Sequence, residues 1–334
     1  MSAPSAAAKP AWYRNLTRYD AMDLRRAIWQ LVNTFVPFVL LWVVMVLLLN
    51  NGYSYWLVLP LIVINAGLMV RIFIFFHDAV HGSFFASPLA NKILGYVSGI
   101  LTFTPYEEWR RSHSAHHAMC GDLDRRGVGD VWTMTVQEYR DASPWQRFFY
   151  RFYRFPPVMF GLGPTYMFMI VHRLPSKGAR KRDVWSVHLT TLGCVAMVVG
   201  MMFLVGWKTY LLIEVPTFVL SGAAGLWLFY VQHQFKGVYW ARRGEWSYVR
   251  AGLEGSSYYK LPKVLQWFTG NIGLHHIHHL RPRIPNYNLQ RCYDEVPEVR
   301  AVKPITLGES LKCLRLRLYD EEGKRMVGFR ELRA

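Results

Sequence analysis

The stretch YWLVLPLIVINAGLMVRIFIFFHDAVH, residues 55–81, decides the fold of this chain. Up to Phe76 it is apolar except for one asparagine and one arginine, and as a helix it is long enough to cross the hydrocarbon core of a bilayer. It ends on His77 and His81, which lie one turn apart on the same helical face. The stretch therefore predicts a membrane helix that delivers a pair of imidazoles to one side of the membrane.

Three further apolar runs are also long enough to span a membrane. They cover residues 31–49, 187–207 and 210–231, and the last two are joined by a tight turn around Lys208. We therefore predict an all-α integral membrane protein with four transmembrane helices in two hairpins. The hairpins comprise residues 31–76 and 187–231.

The distribution of basic residues predicts the orientation. The chain has 39 Lys and Arg against 22 Asp and Glu, a net charge of +17. Five basic residues precede the first span, fourteen lie in residues 92–182 and eighteen follow the fourth span, whereas the hairpin turns carry almost none. By the positive-inside rule, both termini and the segment between the hairpins face the cytoplasm. We expect a multi-pass protein of the cell membrane, and no nucleic-acid partner, since that would need a basic patch on a soluble domain.

Outside the hairpins, residues 77–184 and 232–334 are expected to form a cytoplasmic helical cap that carries the active site. Residues 1–30 are expected to comprise a disordered start and an interfacial helix on the membrane surface. Two apolar runs, at 93–103 and 158–171, fall below spanning length. They either dip into the membrane or form buried helices of the cap.

Nine of the twelve histidines fall in three clusters, at residues 77–81, 113–117 and 275–279. The predicted topology places all three clusters on the same side of the membrane, together with His233 at the end of the fourth span. Burying imidazoles side by side without a metal would leave polar groups unsatisfied and repelling one another when protonated. The clusters therefore predict a metal site, with His233 as an additional ligand.

The number of histidines indicates two metal ions. A zinc site is closed by four ligands, or by three and a water, and eight or nine imidazoles exceed that need. Imidazole binds iron, copper, zinc and nickel, so the ligand type alone does not choose the metal. The Glu and Glu-x-x-His ligands of bundle-type di-iron proteins are absent from the sequence.

The set of spacings His-x3-His, His-x2-His-His and His-x2-His-His, with a histidine at the end of a span, resembles the membrane fatty acid desaturase family. The stretches EGSSYYKLP at 254–262 and TGNIG at 269–273 resemble its bacterial acyl-lipid branch, which includes the cold-induced desaturases of bacilli. The resemblance runs from about residue 30 to about residue 330. The metal ligands it implies are His77, His81, His113, His116, His117, His233, His275, His278 and His279.

The resemblance leaves one position of the third cluster open. His276 stands in a variable slot of the spacing, either behind the ligands or in the place of His275 if the helix begins differently, and we favour His275. Asp78 and Asn271 are expected to orient the ligand imidazoles from behind, with an ordinary cap or turn role as the alternative. For Asn271 the resemblance also implies a second alternative, contact with a metal-bound water.

The activity implied by the resemblance is the insertion of a cis double bond into acyl chains of membrane lipids. It requires two iron ions (Fe2+), oxygen as co-substrate and electrons from an external carrier. Because no haem or flavin motif is visible, we expect a small acidic carrier of the ferredoxin or flavodoxin type to dock on the basic face. The expected contacts are Arg110, Arg111, Arg125, Arg126, Arg242 and Arg243.

Several residues carry weaker expectations. The four cysteines are scattered and are expected to be free thiols. Aromatic residues near the clusters are candidates for an acyl tunnel or for ordinary packing. They are Phe103, Tyr106, Trp109, Trp132, Tyr258, Tyr259 and Trp267.

Two alternative functions stay open. The first is a hydroxylase or ketolase of the same histidine-box superfamily, which would share the metal site and differ in where the substrate carbon lies. The second is a non-redox membrane zinc protein. A transporter would place its polar ligands at midplane depth, whereas the ligands here are predicted at the ends of the spans.

Overall fold

Within residues 9–333, which this computed structural model describes, four helices are long and apolar enough to cross a membrane. They comprise Leu24–Asn50, Tyr55–His81, Lys181–Val205 and Trp207–His233. The prediction of four spans and a mostly helical membrane protein is confirmed. The predicted disorder at the start of the chain falls largely on residues 1–8, outside the described residues.

Fifteen α-helices follow one another along the described chain. They are α1 (Leu24–Asn50), α2 (Leu59–His81), α3 (Pro88–Leu101), α4 (Tyr106–Met119), α5 (Val136–Asp141), α6 (Pro144–Tyr153), α7 (Gly163–Met169), α8 (Lys181–Val205), α9 (Trp207–His233), α10 (Tyr248–Leu253), α11 (Lys263–Phe268), α12 (His275–Leu280), α13 (Asn286–Glu295), α14 (Pro297–Arg300) and α15 (Leu307–Cys313). A π-helical turn covers Val158–Leu162, and short 3-10 helices cover Ala11–Tyr19, Tyr55–Leu57, Val171–Arg173 and Glu331–Arg333.

Each long helix extends beyond its apolar run at the end that lies near the histidine clusters. α1 begins at Leu24 because the Asp23 side chain accepts hydrogen bonds from the backbone amides of Arg25 and Arg26, at 2.9 and 3.1 Å. α2 continues through the first cluster to His81 and stops where Gly82 adopts a φ of 64°. The polar ends of the spans therefore build the site directly.

The turn between the last two spans differs from the prediction. Lys208 lies inside α9, and the connection is the single residue Gly206 with a φ of 86°. Glycine suits this position because a side chain strains a backbone in the left-handed region. Consecutive long helices contact each other in both pairs, α1 with α2 and α8 with α9.

The predicted interfacial helix before residue 31 is replaced by two elements. The 3-10 helix Ala11–Tyr19 buries Tyr13, Leu16 and Tyr19 against α12 and α13, and the Tyr13 hydroxyl donates to the Leu280 carbonyl at 2.7 Å. Residues from Leu24 onward belong to α1. The apolar side chains of the first segment therefore pack against the helix that carries the third cluster.

The described chain also contains four three-residue strands, which an all-α prediction omits. β1 (Tyr258–Lys260) pairs in parallel with β2 (Pro304–Thr306), and β3 (Leu318–Asp320) pairs antiparallel with β4 (Arg325–Val327). The Tyr259 amide also donates to the Gly273 carbonyl at 2.7 Å, just before α12. The first of these small sheets therefore anchors the third histidine cluster.

The two short apolar runs end beside the middles of α8 and α9. Phe103 from the first run and Phe168 from the second pack with Cys194 of α8 and Phe218 of α9. The Arg173 guanidinium donates to the Phe103 carbonyl at 2.6 Å and ties the two runs together. This arrangement favours the interpretation that both runs dip between the spanning helices.

Candidate metal centre

Four helices bring the predicted ligands together. α2 carries His77 and His81 in its last turn, α4 carries three histidines, α9 ends on His233, and α12 consists largely of the third cluster. All ten of these histidines are buried or nearly buried. Nine of them form two adjoining groups.

The first group, called here the five-histidine group, combines α2, α4 and α12. One ring nitrogen of each member lies within 4.8 Å of one ring nitrogen of every other member. Its members are His77, His81, His113, His117 and His278.

The second group, called the four-histidine group, comprises His116, His233, His275 and His279. One ring nitrogen each of His116, His233 and His279 lies within 4.8 Å of the others and of the Cys120 Sγ. His275 Nε2 lies 3.0 Å from His233 Nε2. The His117 and His279 rings stack with centroids 4.2 Å apart, so the two groups share a boundary.

The nitrogen contacts fit bound cations better than hydrogen bonds. His117 Nε2 lies 3.1 Å from His113 Nε2 and 3.0 Å from His278 Nε2. A ring nitrogen carries either one hydrogen or one lone pair, so His117 cannot satisfy both neighbours. His233 Nε2 faces the same conflict, at 3.2 Å from His116 Nε2 and 3.0 Å from His275 Nε2.

Buried nitrogens without partners strengthen this argument. Nε2 of His81 and Nε2 of His279 are buried and make no hydrogen bond within the described residues. Leaving such atoms unpaired is costly, whereas a metal ion would accept their lone pairs. Burial, followed by the neighbouring imidazoles, holds the pKa of His113, His117 and His278 well below the usual range, so these rings stay neutral and available as ligands.

His275 and His276 occupy different environments. His275 faces the four-histidine group, whereas His276 Nε2 lies 3.0 Å from the Val299 carbonyl. The His276 ring packs against Tyr258 and Tyr293 on the far side of α12. Of these two alternatives for one ligand position, His275 is the one that lies among the other candidate ligands.

Asp78 lies behind the five-histidine group. Its Oδ1 is 3.3 Å from His77 Nδ1, and its Oδ2 accepts hydrogen bonds from the backbone and side-chain amides of Asn286 at 2.8 and 2.9 Å. Asn271, by contrast, donates to the Asn286 carbonyl at 3.1 Å and reaches His77 only through two other residues. The sequence contained no signal for this role of Asn286, because its partner Asp78 lies 208 residues away along the chain.

Asp130 supports the four-histidine group, a role that the sequence did not reveal. Its Oδ1 lies 2.5 Å from His116 Nδ1, while its Oδ2 accepts from the Gly127 amide at 3.2 Å. A carboxylate behind a metal-binding imidazole fixes the tautomer and leaves Nε2 free for the metal. His116 therefore presents Nε2 toward His233.

Asp130→Asn is expected to weaken metal binding by about 10- to 100-fold, since it removes the charge behind His116 while keeping the shape. Metal retention against a competing chelator measures the effect. Asp124→Asn is the matched control on the same loop, because the Asp124 side chain accepts hydrogen bonds from Arg242 and Arg243 at the surface and from no candidate ligand. Equal retention in both variants would contradict this role for Asp130.

His233 is oriented by two groups at its Nδ1. The Gly255 carbonyl lies 3.3 Å away and Cys120 Sγ lies 3.4 Å away. Nδ1 can donate to the carbonyl, which aims Nε2 at His116 and His275. The four cysteines are free and buried, as predicted for thiols, but Cys120 touches a candidate ligand, which its position in the sequence did not indicate.

Aromatic side chains cover both groups. The Trp109 ring stacks on the His113 ring with centroids 4.1 Å apart. The centroid of the Phe229 ring lies 5.3 Å from that of His116 and 5.0 Å from that of His233. A cavity of about 240 Å³ adjoins the four-histidine group and reaches Trp132. Of the aromatic residues suggested as tunnel walls, Trp109 and Trp132 therefore lie beside the centre.

Arg154 is a buried cation beside the four-histidine group. It follows α6, is 1% exposed, and its guanidinium donates to the Gln234 side chain at 2.9 Å, the Tyr230 hydroxyl at 3.2 Å and the Leu316 carbonyl at 3.0 Å. It also donates to Trp132 and Thr133. Arg154 thus joins the end of α9 to the loop that carries Asp130.

Arg154→Met is expected to lower the free energy of unfolding by about 3–5 kcal/mol, because several buried acceptors lose their donor. Unfolding of the detergent-solubilised protein by denaturant measures this. Lys236→Met is the control, since Lys236 is exposed, and it should change stability by less than about 0.5 kcal/mol. Similar stability of the two variants would show that Arg154 does not hold these segments together.

The arginines expected to contact an electron carrier are largely paired within the chain. Five of the six form ion pairs with acidic side chains, with Arg243 as the exception among the described residues. Arg242 contacts both Asp124 and Glu321 at 2.7 Å. Much of the positive charge at these positions is therefore neutralised locally.

Comparison of the sequence with known proteins identifies relatives of this chain. A family described as fatty acid desaturase matches residues 54–306, which include every histidine of both groups. A fatty acid desaturase of Bacillus subtilis is 48% identical over 320 residues, covering 96% of this chain and 90% of that protein. A chloroplastic omega-3 fatty acid desaturase of Brassica napus is 31% identical, covering 77% of this chain and 63% of that protein. An sn-1 acyl-lipid omega-3 desaturase (ferredoxin) of Synechocystis is 26% identical, covering 76% and 69%.

Proposed function

Since this chain belongs to the fatty acid desaturase family, we propose that each of its two histidine groups holds one iron ion. The observation that carries the proposal is the convergence of nine buried or nearly buried imidazoles into two adjoining groups. The protein is an oxidoreductase, a fatty acid desaturase. Its reaction uses oxygen and two electrons to replace a single bond of an acyl chain by a cis double bond.

The residues have separate tasks in this proposal. Two iron ions supply the oxidising power that an unactivated C–H bond requires, which zinc lacks because it has no second oxidation state. The imidazoles hold the ions, while Asp78, Asp130 and the Gly255 carbonyl orient the rings that face them. Trp109 and Phe229 cover the groups and limit the access of water.

The proposed substrate is an acyl chain of a membrane lipid. Two of the four helices that carry the ligands, α2 and α9, are long and apolar enough to span a membrane, and their ligands lie at the ends of these helices. This supports a centre at the end of the bilayer-crossing segment. The Synechocystis relative is named for acyl-lipid substrates. The distribution of Lys and Arg supports a cell-membrane protein whose centre and termini face the cytoplasm.

The proposed electron donor is a carrier of the ferredoxin or flavodoxin type. The Synechocystis relative is named as ferredoxin-dependent, and the net charge of +17 would attract an acidic carrier. Because five of the six arginines suggested as contacts are paired internally, we assign the attraction to the whole basic face and not to those side chains.

Expression in a host without desaturases tests the function. Membrane fatty acids are analysed by mass spectrometry with localisation of double bonds, and new monoenes at one defined carbon are the expected result. The His81→Ala variant, which loses one candidate ligand of the five-histidine group, should yield none. Hydroxylated products would transfer the assignment to a hydroxylase or ketolase.

Metal analysis of the purified protein tests the cofactor separately. The expected content is about two iron ions per chain, since each group has enough imidazoles for one ion. About one zinc ion and no oxidation activity would overturn the oxidative mechanism and favour the zinc alternative.

A further inference from the structure

Helix α6 presents an aromatic face that no other described part of the chain covers. Its exposed side chains are between 52% and 71% accessible. They are Trp145, Phe148, Phe149, Phe152 and, just after the helix, Phe155. Their spacing of three and four residues places them in one stripe. Soluble surfaces rarely expose five large aromatic side chains together.

The opposite side of α6 is held firmly. Ser143 and Gln146 form a capping box at the start of the helix. Tyr150 is fully buried, and Arg154 binds Tyr230 and Gln234. The aromatic stripe is therefore displayed by a fixed helix, because the side that meets the protein has several buried contacts.

The position of α6 along the spanning helices follows from these contacts. Tyr230 and Gln234 lie at the histidine end of α9, so α6 lies at the level where the candidate span ends. The chain then continues along α9, where Phe160 packs against Tyr230 with ring centroids 5.4 Å apart. Leu162 and Tyr166, in this following segment, are 63% and 62% exposed. The apolar surface of α6 is thus continuous with that of a membrane-spanning helix.

Other short elements beside the spans also expose apolar side chains. Val264 and Trp267 do so on α11, which packs against α2. Leu307 and Leu311 do so on α15, where the Cys313 carbonyl accepts a hydrogen bond from Tyr230. Short elements near two different spans therefore expose apolar side chains, as α6 does.

We propose that α6 is an in-plane membrane anchor whose aromatic stripe lies in the boundary between headgroups and acyl chains, on the histidine side of the bilayer. Aromatic side chains favour this boundary, and an amphipathic helix gains binding from apolar burial and from basic residues beside the stripe. Arg147 and Arg151 are exposed on the flank of α6. Their guanidinium groups donate to the Ala142 carbonyl at 2.8 Å and to the Tyr139 hydroxyl at 2.5 Å, and neither forms an ion pair with a described acidic side chain, so their charge suits anionic headgroups. The inference rests on the spanning helices and is independent of the iron chemistry.

Site-directed spin labelling of the full chain tests the anchor. The four native cysteines are buried, so a single introduced cysteine is the accessible labelling site. Phe149→Cys and Trp145→Cys report on the stripe, Gln137→Cys on exposed α5 is the aqueous control, and Phe203→Cys on α8 is the lipid control. The labelled protein is placed in vesicles of phosphatidylcholine and phosphatidylglycerol.

The measurement compares collisions with oxygen, which concentrates in lipid, and with a water-soluble nickel chelate. At positions 145 and 149 the ratio of oxygen to nickel accessibility should exceed that at position 137 and approach that at position 203. A ratio equal to that at position 137 would overturn the proposal. Low accessibility to both reagents with dipolar broadening would also overturn it, since a second copy of the chain would then cover the stripe. Two independent stripe positions guard against one variant failing to fold.

Discussion

Replacing His233 with alanine is expected to abolish desaturation, on the order of a thousandfold or more, because a lost ligand should exceed the about 10- to 100-fold cost of a lost supporting residue. His233 Nε2 lies 3.2 Å from His116 Nε2 and 3.0 Å from His275 Nε2, so it occupies the middle of the four-histidine group. The iron content should fall from about two ions per chain to about one. Product analysis and metal analysis of the same preparation measure both effects.

Two other histidines provide controls for this substitution. His188 is exposed on α8, and His172 contacts the Phe103 carbonyl at 3.4 Å, away from both groups. The His188→Ala and His172→Ala variants should keep both iron ions and their turnover. Full activity of the His233→Ala variant would remove His233 from the ligands, whatever the controls do.

Substitutions of the sequence neighbours His275 and His276 are expected to have very different effects on iron content and activity. His275→Ala should lose the iron ion of the four-histidine group and at least about 100-fold in activity, because its Nε2 faces His233. His276→Gln should keep both, since glutamine can still donate to the Val299 carbonyl, which now lies 3.0 Å from His276 Nε2. Iron content and product yield are compared for the two purified variants.

The outcome that contradicts this assignment is equally specific. If His276→Gln lost iron while His275→Ala retained it, α12 would have to be rotated in the working enzyme. A separate stability measurement on His276→Ala is useful here. That variant should unfold more easily by about 1–3 kcal/mol, because a buried carbonyl loses its donor, without losing iron.

The spanning helices were predictable because length and apolarity act locally along the chain. Residues 55–76 indicated a span from composition alone, and α2 confirms it. The helix ends were less predictable. Asp23 begins α1 seven residues before its apolar run, and Gly206 replaces Lys208 as the turn, because capping and backbone geometry depend on single residues.

The division of the ligands into two groups was beyond sequence reasoning. His116 and His117 are adjacent in α4, yet they belong to different groups, and His278 and His279 of α12 separate in the same way. Neighbouring residues of a helix point about 100° apart, so a cluster that forms one motif in the sequence contributes to both groups. Which neighbour faces which group depends on how α4 and α12 pack against α2 and α9.

The sequence by itself determined four spans, the membrane setting and the residues able to bind metal, since each depends on residue type and local spacing. Only the tertiary structure decided that Asp130 supports His116, that Arg154 ties α6 to the end of α9, and that His276 turns away from the groups. The physical reason is that these contacts join residues distant in the chain. Local periodicity specifies which face of a helix is polar, whereas the partner of that face is specified by packing.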